Sequence, residues 1–356
     1  MIRILVYADV HFSQFSSIVR TLRDKYSTRL DHLIKSLNWV EELSKKEHCD
    51  MVVNLGDMFD KSSLNSMELT ALKEIKWNLD IPHYILVGNH DSNIASLEYS
   101  SSEILSNFSD RFYIISKPFY KATTGFVNLF FLPYITEDNR KSLSEYKKEL
   151  LSNNNTYPSF SNICFSHNDI KGFQFGNFKS TEGFEIEDIE NNFDMYLNGH
   201  LHNPGYITKK ILNVGNLCGQ NFNENNFKTS HSAWILEYDD VKKSIKLTPY
   251  ENPYALNFYK IEINKKHPSL SEYEFKDNAV VMIKCEKTYL DKLKEELDSN
   301  KKIVVSKIIV YSEDVVSDDN DIKLEKVDYI KTFNDFILNK LGSDDIIKDE
   351  LNTICN

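Results

Sequence analysis

The sequence predicts a mixed α/β protein, α+β in layout: a two-layered β-sandwich flanked by helices, followed by a small β-α-β module and two terminal helices. Three observations carry this. The first third alternates apolar runs with amphipathic periods in the order β-α-β-α-β-α, the mark of helices packed on a mostly parallel sheet. From Phe112 onward short strands follow one another with few helices between them. After Pro253 the composition shifts again. With 356 residues, 41% hydrophobic and 12% aromatic, the chain can build a core and has room for two or three modules.

Residues 2–8 read as a buried strand. Thr28-Arg29-Leu30-Asp31 is a capping-type helix start, with Leu30, Leu33, Ile34, Leu37, Val40 and Leu43 at helical spacing behind it. Residues 51–55 form the second strand. Asn65 with Glu68 opens a second helix, which the spacing carries to about Leu79, where Ile81-Pro82 breaks it. Residues 83–87 are the third strand, and Ile94–Phe108 is expected to be a third helix. The strand-rich part comprises Phe112–Ser116, Phe126–Leu132, Ile163–Ser166, Met195–Asn198, Tyr206–Thr208, Ile211–Val214, Ala233–Tyr238, Lys242–Leu247 and Phe258–Ile263. Residues 279–285, 289–299 and 303–311 complete the β-α-β module. The expected domains are 1–250, 251–311, an acidic linker over 312–325 and a helical segment over 326–356.

A net charge of −11 argues against general polyanion binding, although bound cations can reverse the field locally. The five cysteines are widely spaced with no C-x-x-C, so a disulfide framework or thiolate zinc site is not expected and a reducing cytoplasm is the natural compartment. No apolar run approaches the ~20 residues of a membrane span. The first apolar run is broken at once by Asp9 and His11, which fits a strand rather than a signal peptide.

Five strands share one grammar: an apolar run that ends in side chains able to bind metal or move protons. These ends supply Asp9, His11, Asp57, Asn89, His167, His200 and His202. A set of oxygen and imidazole donors without thiolate suits Mn²⁺-like or Mg²⁺-like ions. Seven donors are too many for one ion and suit two, bridged by a shared carboxylate. Singly, each has a plain alternative: a hydrogen-bonded strand-end His, or a turn Asp. Their joint appearance after five apolar runs argues for a common site. His32, His48, His83, His231 and His267 lack this grammar and are left out of it.

The ordered set Asp9-x-His11, Gly56-Asp57-x-x-Asp60, Gly88-Asn89-His90-Asp91, His167 and Gly199-His200-x-His202 resembles the calcineurin-like metallophosphoesterases, and within them the SbcD-type double-strand-break repair nucleases. Lys61-Ser62 stands where the protein phosphatases of that superfamily carry Arg-Gly. The β-α-β module resembles a DNA-capping domain, and the C-terminal helices resemble a segment that docks on an SbcC-type ATPase. By this resemblance Asp9, His11 and His202 hold one ion, Asn89, His167 and His200 the other, and Asp57 bridges them, with Mn²⁺ expected and Mg²⁺ possible. His90 is expected to contact the scissile phosphate and protonate the leaving oxygen. Asp91 is expected either to orient His90 or Asn89 or to cap the next helix.

The resemblance implies metal-dependent phosphodiester hydrolysis by in-line attack, acting on DNA ends and single strands. Arg20, Arg23, Lys61, Lys209 and Lys210 are the basic candidates for DNA phosphates. The stripe Val327, Ile330, Phe333, Phe336, Ile337 and Leu341 is the candidate ATPase-docking face. A homodimer, and a heterotetramer with the ATPase, are the implied assemblies, with Ser66–Leu79 and Ile94–Phe108 as candidate contacts. Two other readings stand beside this one. A small-molecule or cyclic-nucleotide phosphodiesterase would have no use for the C-terminal helices. A binding scaffold without chemistry would lack ligands, and all seven are present.

Overall fold

Two six-stranded sheets face each other in the computed structural model of the chain, which describes residues 1–312 apart from 17–21, 24, 94–95, 124–126, 153–160, 176–177 and 225. In the first sheet the strands run in the order 244–251, 232–239, 2–7, 51–54, 83–86, 112–115. The last four are mutually parallel, and Ser232–Asp239 pairs antiparallel with Ile2–Tyr7. The second sheet has the order 205–206, 211–213, 195–198, 161–166, 127–132, 119–122, with its four central strands parallel.

Alternation within each strand explains why both faces are apolar. Ile4 and Val6 point into the inter-sheet core with Val53, Leu86, Phe131 and Phe165. Leu5 and Tyr7 point the other way, onto Leu30, Leu33, Leu37 and Val40 of the Thr28–Lys46 helix. A strand buried on both faces reads as a continuous apolar run, which is why these strands were legible. Each such Leu or Val removed from water contributes on the order of 1.5–3 kcal/mol. The outer face of the second sheet is covered by the helices Leu143–Ser152 and Ile186–Asn192.

Three helix expectations are corrected. Ser27, not Thr28, caps the first helix, its side chain accepting Leu30 N–H. The Asn65–Glu68 capping box forms as expected, but its helix stops at Leu72. The chain then bends to bury Ile75 and Trp77, and Trp77 packs edge-on against Phe112. Residues 94–108 do not form an α-helix. Ser96–Ser100 is a strand and Ser101–Asn107 a 3₁₀ helix, while 94 and 95 lie outside the described residues. Serine side chains there bind nearby backbone, Ser100 Oγ accepting Ser102 N–H and Ser101 Oγ donating to Asp91 O, which competes with regular helix.

The small module is a parallel three-stranded sheet of Asn257–Ile263, Ala279–Glu286 and Ile303–Tyr311, with the helix Leu290–Ser299 as crossover. The strand at 257–263, read from sequence as continuing the sandwich, thus belongs to this sheet. The module has its own core around Tyr259, Val281, Ile283 and Leu293. Phe258 and Val280 instead join the core of the large domain. The expected linker and C-terminal helices lie outside the described residues.

Candidate metal centre

Because the central strands of each sheet are parallel, 2–7, 51–54, 83–86, 161–166 and 195–198 all end along one edge of the sandwich. Backbone bonds lace the loops that follow: Asp9 N–H to Gly56 O at 3.1 Å, His11 N–H to Asp57 O at 3.0 Å, and Gly199 N–H to Ser166 O at 2.9 Å. Four of the seven predicted ligands adopt left-handed backbone, with φ of 50° at Asp9, 46° at His11, 49° at Asp57 and 71° at His200. Such conformations cost on the order of 1–3 kcal/mol each in non-glycine residues and persist where surrounding structure over-determines them.

All seven predicted ligands converge. Asp9, His11 and His202 offer donor atoms within 4.8 Å of one another, and so do Asp57, His167 and His200. Asn89 Oδ1 joins the second group, 3.2 Å from His167 Nε2 and 3.1 Å from His200 Nδ1. Asp57 reaches both groups, its Oδ2 3.2 Å from His167 Nε2 and 3.7 Å from His11 Nε2. His90 is exposed beside them, its ring 4.7 Å from that of His11. The residues fit divalent cations on a structural ground: His11 Nε2 is buried without a hydrogen-bond partner, among carboxylates, an amide oxygen and other imidazoles.

The four histidines are braced on their other ring nitrogens, as metal-binding imidazoles usually are. His167 Nδ1 bonds Leu55 O at 2.6 Å. His11 Nδ1 lies 3.3 Å from Asp60, His200 Nε2 3.4 Å from Asp169, and His202 Nδ1 3.7 Å from Glu224. Sequence reasoning missed Asp169 and Glu224 as parts of the site. Asp169 stands two residues past His167 and could have been flagged; Glu224 lies in a loop with no local signal.

Burial pushes the Asp57 carboxyl up, but the charge and hydrogen bond of His167, with the charges of His11 and His90, hold it well below the usual carboxylate range. Burial works against a charged His167, yet Asp57, then Asp9 and the Leu55 carbonyl, raise it to about 9. His167 is therefore protonated at pH 7 without metal. This raised value stabilises the metal-free fold fully below the ordinary histidine value of 6.5, and the contribution is lost as pH rises through about 9. Cation uptake must displace that proton. Titration with Mn²⁺ at pH 7 is expected to release about one proton from this residue, and above pH ~10 none; calorimetry in buffers of different ionisation enthalpy reads it directly.

Gly88 shows how tightly the centre is built. A Cβ there would stand 2.1 Å from Asp57 Oδ1 and 2.4 Å from Asp57 N. Gly88→Ala is expected to weaken cation binding at least tenfold, comparable to loss of an orienting contact. Equilibrium dialysis with Mn²⁺ checks this, and wild-type affinity would show that the loop yields.

Other predicted residues are placed differently. Asp91 does not touch His90 and caps no helix. Its buried carboxylate accepts Phe59 N–H at 2.7 Å and Gly88 N–H at 2.9 Å, tying two loops together. Burial and the nearby Asp57 charge raise it to about 7 against those two bonds. Lys61 is exposed on the rim with Asp60, Asn89 and His90. Lys209 and Lys210 sit at the opposite ends of the strands from the centre. Tyr196 N–H, near the start of its strand, bonds Lys210 O, and Lys210 Nζ donates to Glu190 O. A hairpin that begins just after His202 runs the length of the strand before reaching them, so sequence proximity misled. Arg20 lies outside the described residues; Arg23 is in a short strand, Leu22–Arg23, and its side chain is not described. No helix among the described residues is long and apolar enough to cross a membrane.

Comparison with known proteins adds to this. The profile of the calcineurin-like phosphoesterase family matches residues 2–204. The chain is 25% identical over 164 residues to the DNA double-strand break repair protein Mre11 of Sulfurisphaera tokodaii, covering 45% of this chain and 40% of that one. It is 25% identical over 283 residues to the SbcD subunit of the SbcCD nuclease of Staphylococcus saprophyticus, covering 69% of this chain and 68% of that one. The alignment thus spans less than half the length of the first relative. Among solved structures, a dimetal phosphatase from Danio rerio aligns with 70% of this chain and 96% of its own, at 13% identity and a TM-score of 0.44.

Proposed function

We propose that this chain, which belongs to the calcineurin-like phosphoesterase family, is a divalent-metal-dependent DNA nuclease and the nuclease subunit of a complex with an SbcC-type coiled-coil ATPase. One observation carries the hydrolytic part: two donor groups share Asp57, and an exposed imidazole, His90, stands beside them. The names of the two curated relatives support DNA as substrate and the ATPase as partner. Mn²⁺ is the proposed metal, with Mg²⁺ the alternative.

Two cations at this centre supply an acidified water and positive charge against the phosphorane oxygens. The chain's own residues do the rest. Asp9, His11 and His202 form one seat, Asn89, His167 and His200 the other, and Asp57 spans them. His90 protonates the leaving oxygen. Its Nδ1 lies 3.2 Å from Asp60 O, a pure acceptor, so Nδ1 carries a proton and Nε2 is the nitrogen left for transfer. The His90 N–H also bonds Asp57 Oδ1 at 2.9 Å, which fixes the proton donor to the shared carboxylate. Lys61 is the described basic group placed to meet a DNA phosphate at the rim.

The test is hydrolysis by the purified chain with Mn²⁺ on linear duplex DNA, circular single strands and bis-p-nitrophenyl phosphate. Cleavage of DNA is expected, with or without the ATPase added. Turnover of the small ester alone, with none on any DNA even in the presence of the ATPase, would overturn the nuclease reading and leave a small-molecule phosphodiesterase.

A further inference from the structure

Behind His202 lies a polar chain that the hydrolytic mechanism does not use. His202 Nδ1 stands at ion-pair distance, 3.7 Å, from Glu224 Oε1, and Glu224 is buried. The Glu224 carboxylate accepts Asn216 Nδ2 at 2.9 Å and the Gln220 backbone N–H at 3.1 and 3.2 Å. Its second oxygen faces His231 Nε2 at 3.7 Å. His231 Nδ1 meets Asn216 Oδ1 at 2.9 Å, and Asn226 Nδ2 meets His231 Nε2 at 3.0 Å. Asn226 Oδ1 then accepts the Phe258 N–H at 2.6 Å. Phe258 belongs to the first strand of the small module.

Such groups are costly to bury unless each is satisfied. Here they satisfy one another, so Glu224 has little freedom to leave its place. The same segment is pinned to the centre by backbone bonds, Asn216 N–H to His202 O at 3.1 Å and Leu217 N–H to Ala8 O at 2.9 Å. On its far side Gly219 N–H bonds Leu256 O at 3.1 Å, and Phe222 packs edge-on against Phe258. His202 itself keeps 21% of its side chain exposed, so packing alone does not hold the ring.

We propose that Glu224 is a positioning residue that holds His202 in its cation-facing orientation and, through Asn216, His231 and Asn226, ties that orientation to the seat of the small module. This rests on the reading of Asp9, His11 and His202 as one cation seat. Asp169 holds the corresponding place behind His200 for the other seat.

The experiment is calorimetric titration of the full chain with Mn²⁺, beside thermal melts of the metal-free protein. Wild type is expected to take up two ions; uptake of none would defeat the metal-centre reading itself. Glu224→Ala is expected to weaken one of the two ions about 10–100-fold and spare the other. Glu224→Gln, which keeps an acceptor oxygen and the side-chain volume, is expected to lose only about threefold. Asn226→Ala is expected to weaken the same ion as Glu224→Ala, and Asp169→Ala the other. Wild-type affinity in both Glu224 variants, or equal weakening of both ions, would overturn the positioning role. Wild-type affinity in Asn226→Ala would overturn the tie to the small module. If Glu224→Ala lowers the metal-free melt so far that it does not fold, Glu224→Gln decides alone: weakening confined to one ion supports the role, and unchanged affinity overturns it.

Discussion

Asp57→Asn is expected to abolish binding of both cations and to lower DNA hydrolysis by roughly 10³-fold or more, about 4 kcal/mol of transition-state stabilisation. The side chain is almost completely buried and faces both donor groups, 3.2 Å from His167 and 3.7 Å from His11. Asparagine keeps its shape and an oxygen for the His90 N–H, so the loop should stay folded. What goes is the charge. Without it the buried His167 loses the main group that raises its pKa, and it should titrate lower than about 9 in the metal-free variant. Metal analysis, activity and a histidine NMR titration read these three consequences separately. Retention of two tightly bound ions would sink the bridging assignment.

His90→Ala should behave in the opposite way. A general acid typically contributes 10²–10⁴-fold, so kcat should fall by roughly that amount while both ions stay bound with near-wild-type affinity. The expectation rests on exposure and placement: the predicted ligands are buried or half-buried, whereas His90 is exposed and is held through Nδ1 to Asp60 O. The fall should be smaller for an ester with a good leaving group, which needs no proton, than for DNA. A competing arrangement exists, because His90 also offers a donor atom within 4.8 Å of those of His11 and Asp57. Loss of one ion from the variant would make His90 a ligand and remove it as the acid.

Much of the fold was legible because burial on both faces leaves continuous apolar runs, as at Ile4–Tyr7 and Ile163–Phe165. The Ile94–Phe108 segment was not. Its apolar spacing allows a helix, but its serines find closer partners in the turn at Asp91, a competition that periodicity does not register. The seven predicted ligands were legible for a related reason: each follows directly on a strand that the pattern identifies.

Local pattern therefore determined which strands exist, where each ends and which reactive side chain stands there. Only the tertiary structure decided how those ends meet. His200 N–H donates to both oxygens of Asp9 across 191 positions of sequence, and Glu224 reaches His202 from a loop with no motif of its own. It also decided that Asp91 braces loops rather than His90, that Lys209 and Lys210 lie at the far ends of the strands, and that four ligand residues take left-handed backbone. The physical reason is one of range. Hydrophobic periodicity acts over a few residues, whereas the orientation of an imidazole is set by whatever acceptor the packed sheets bring behind it.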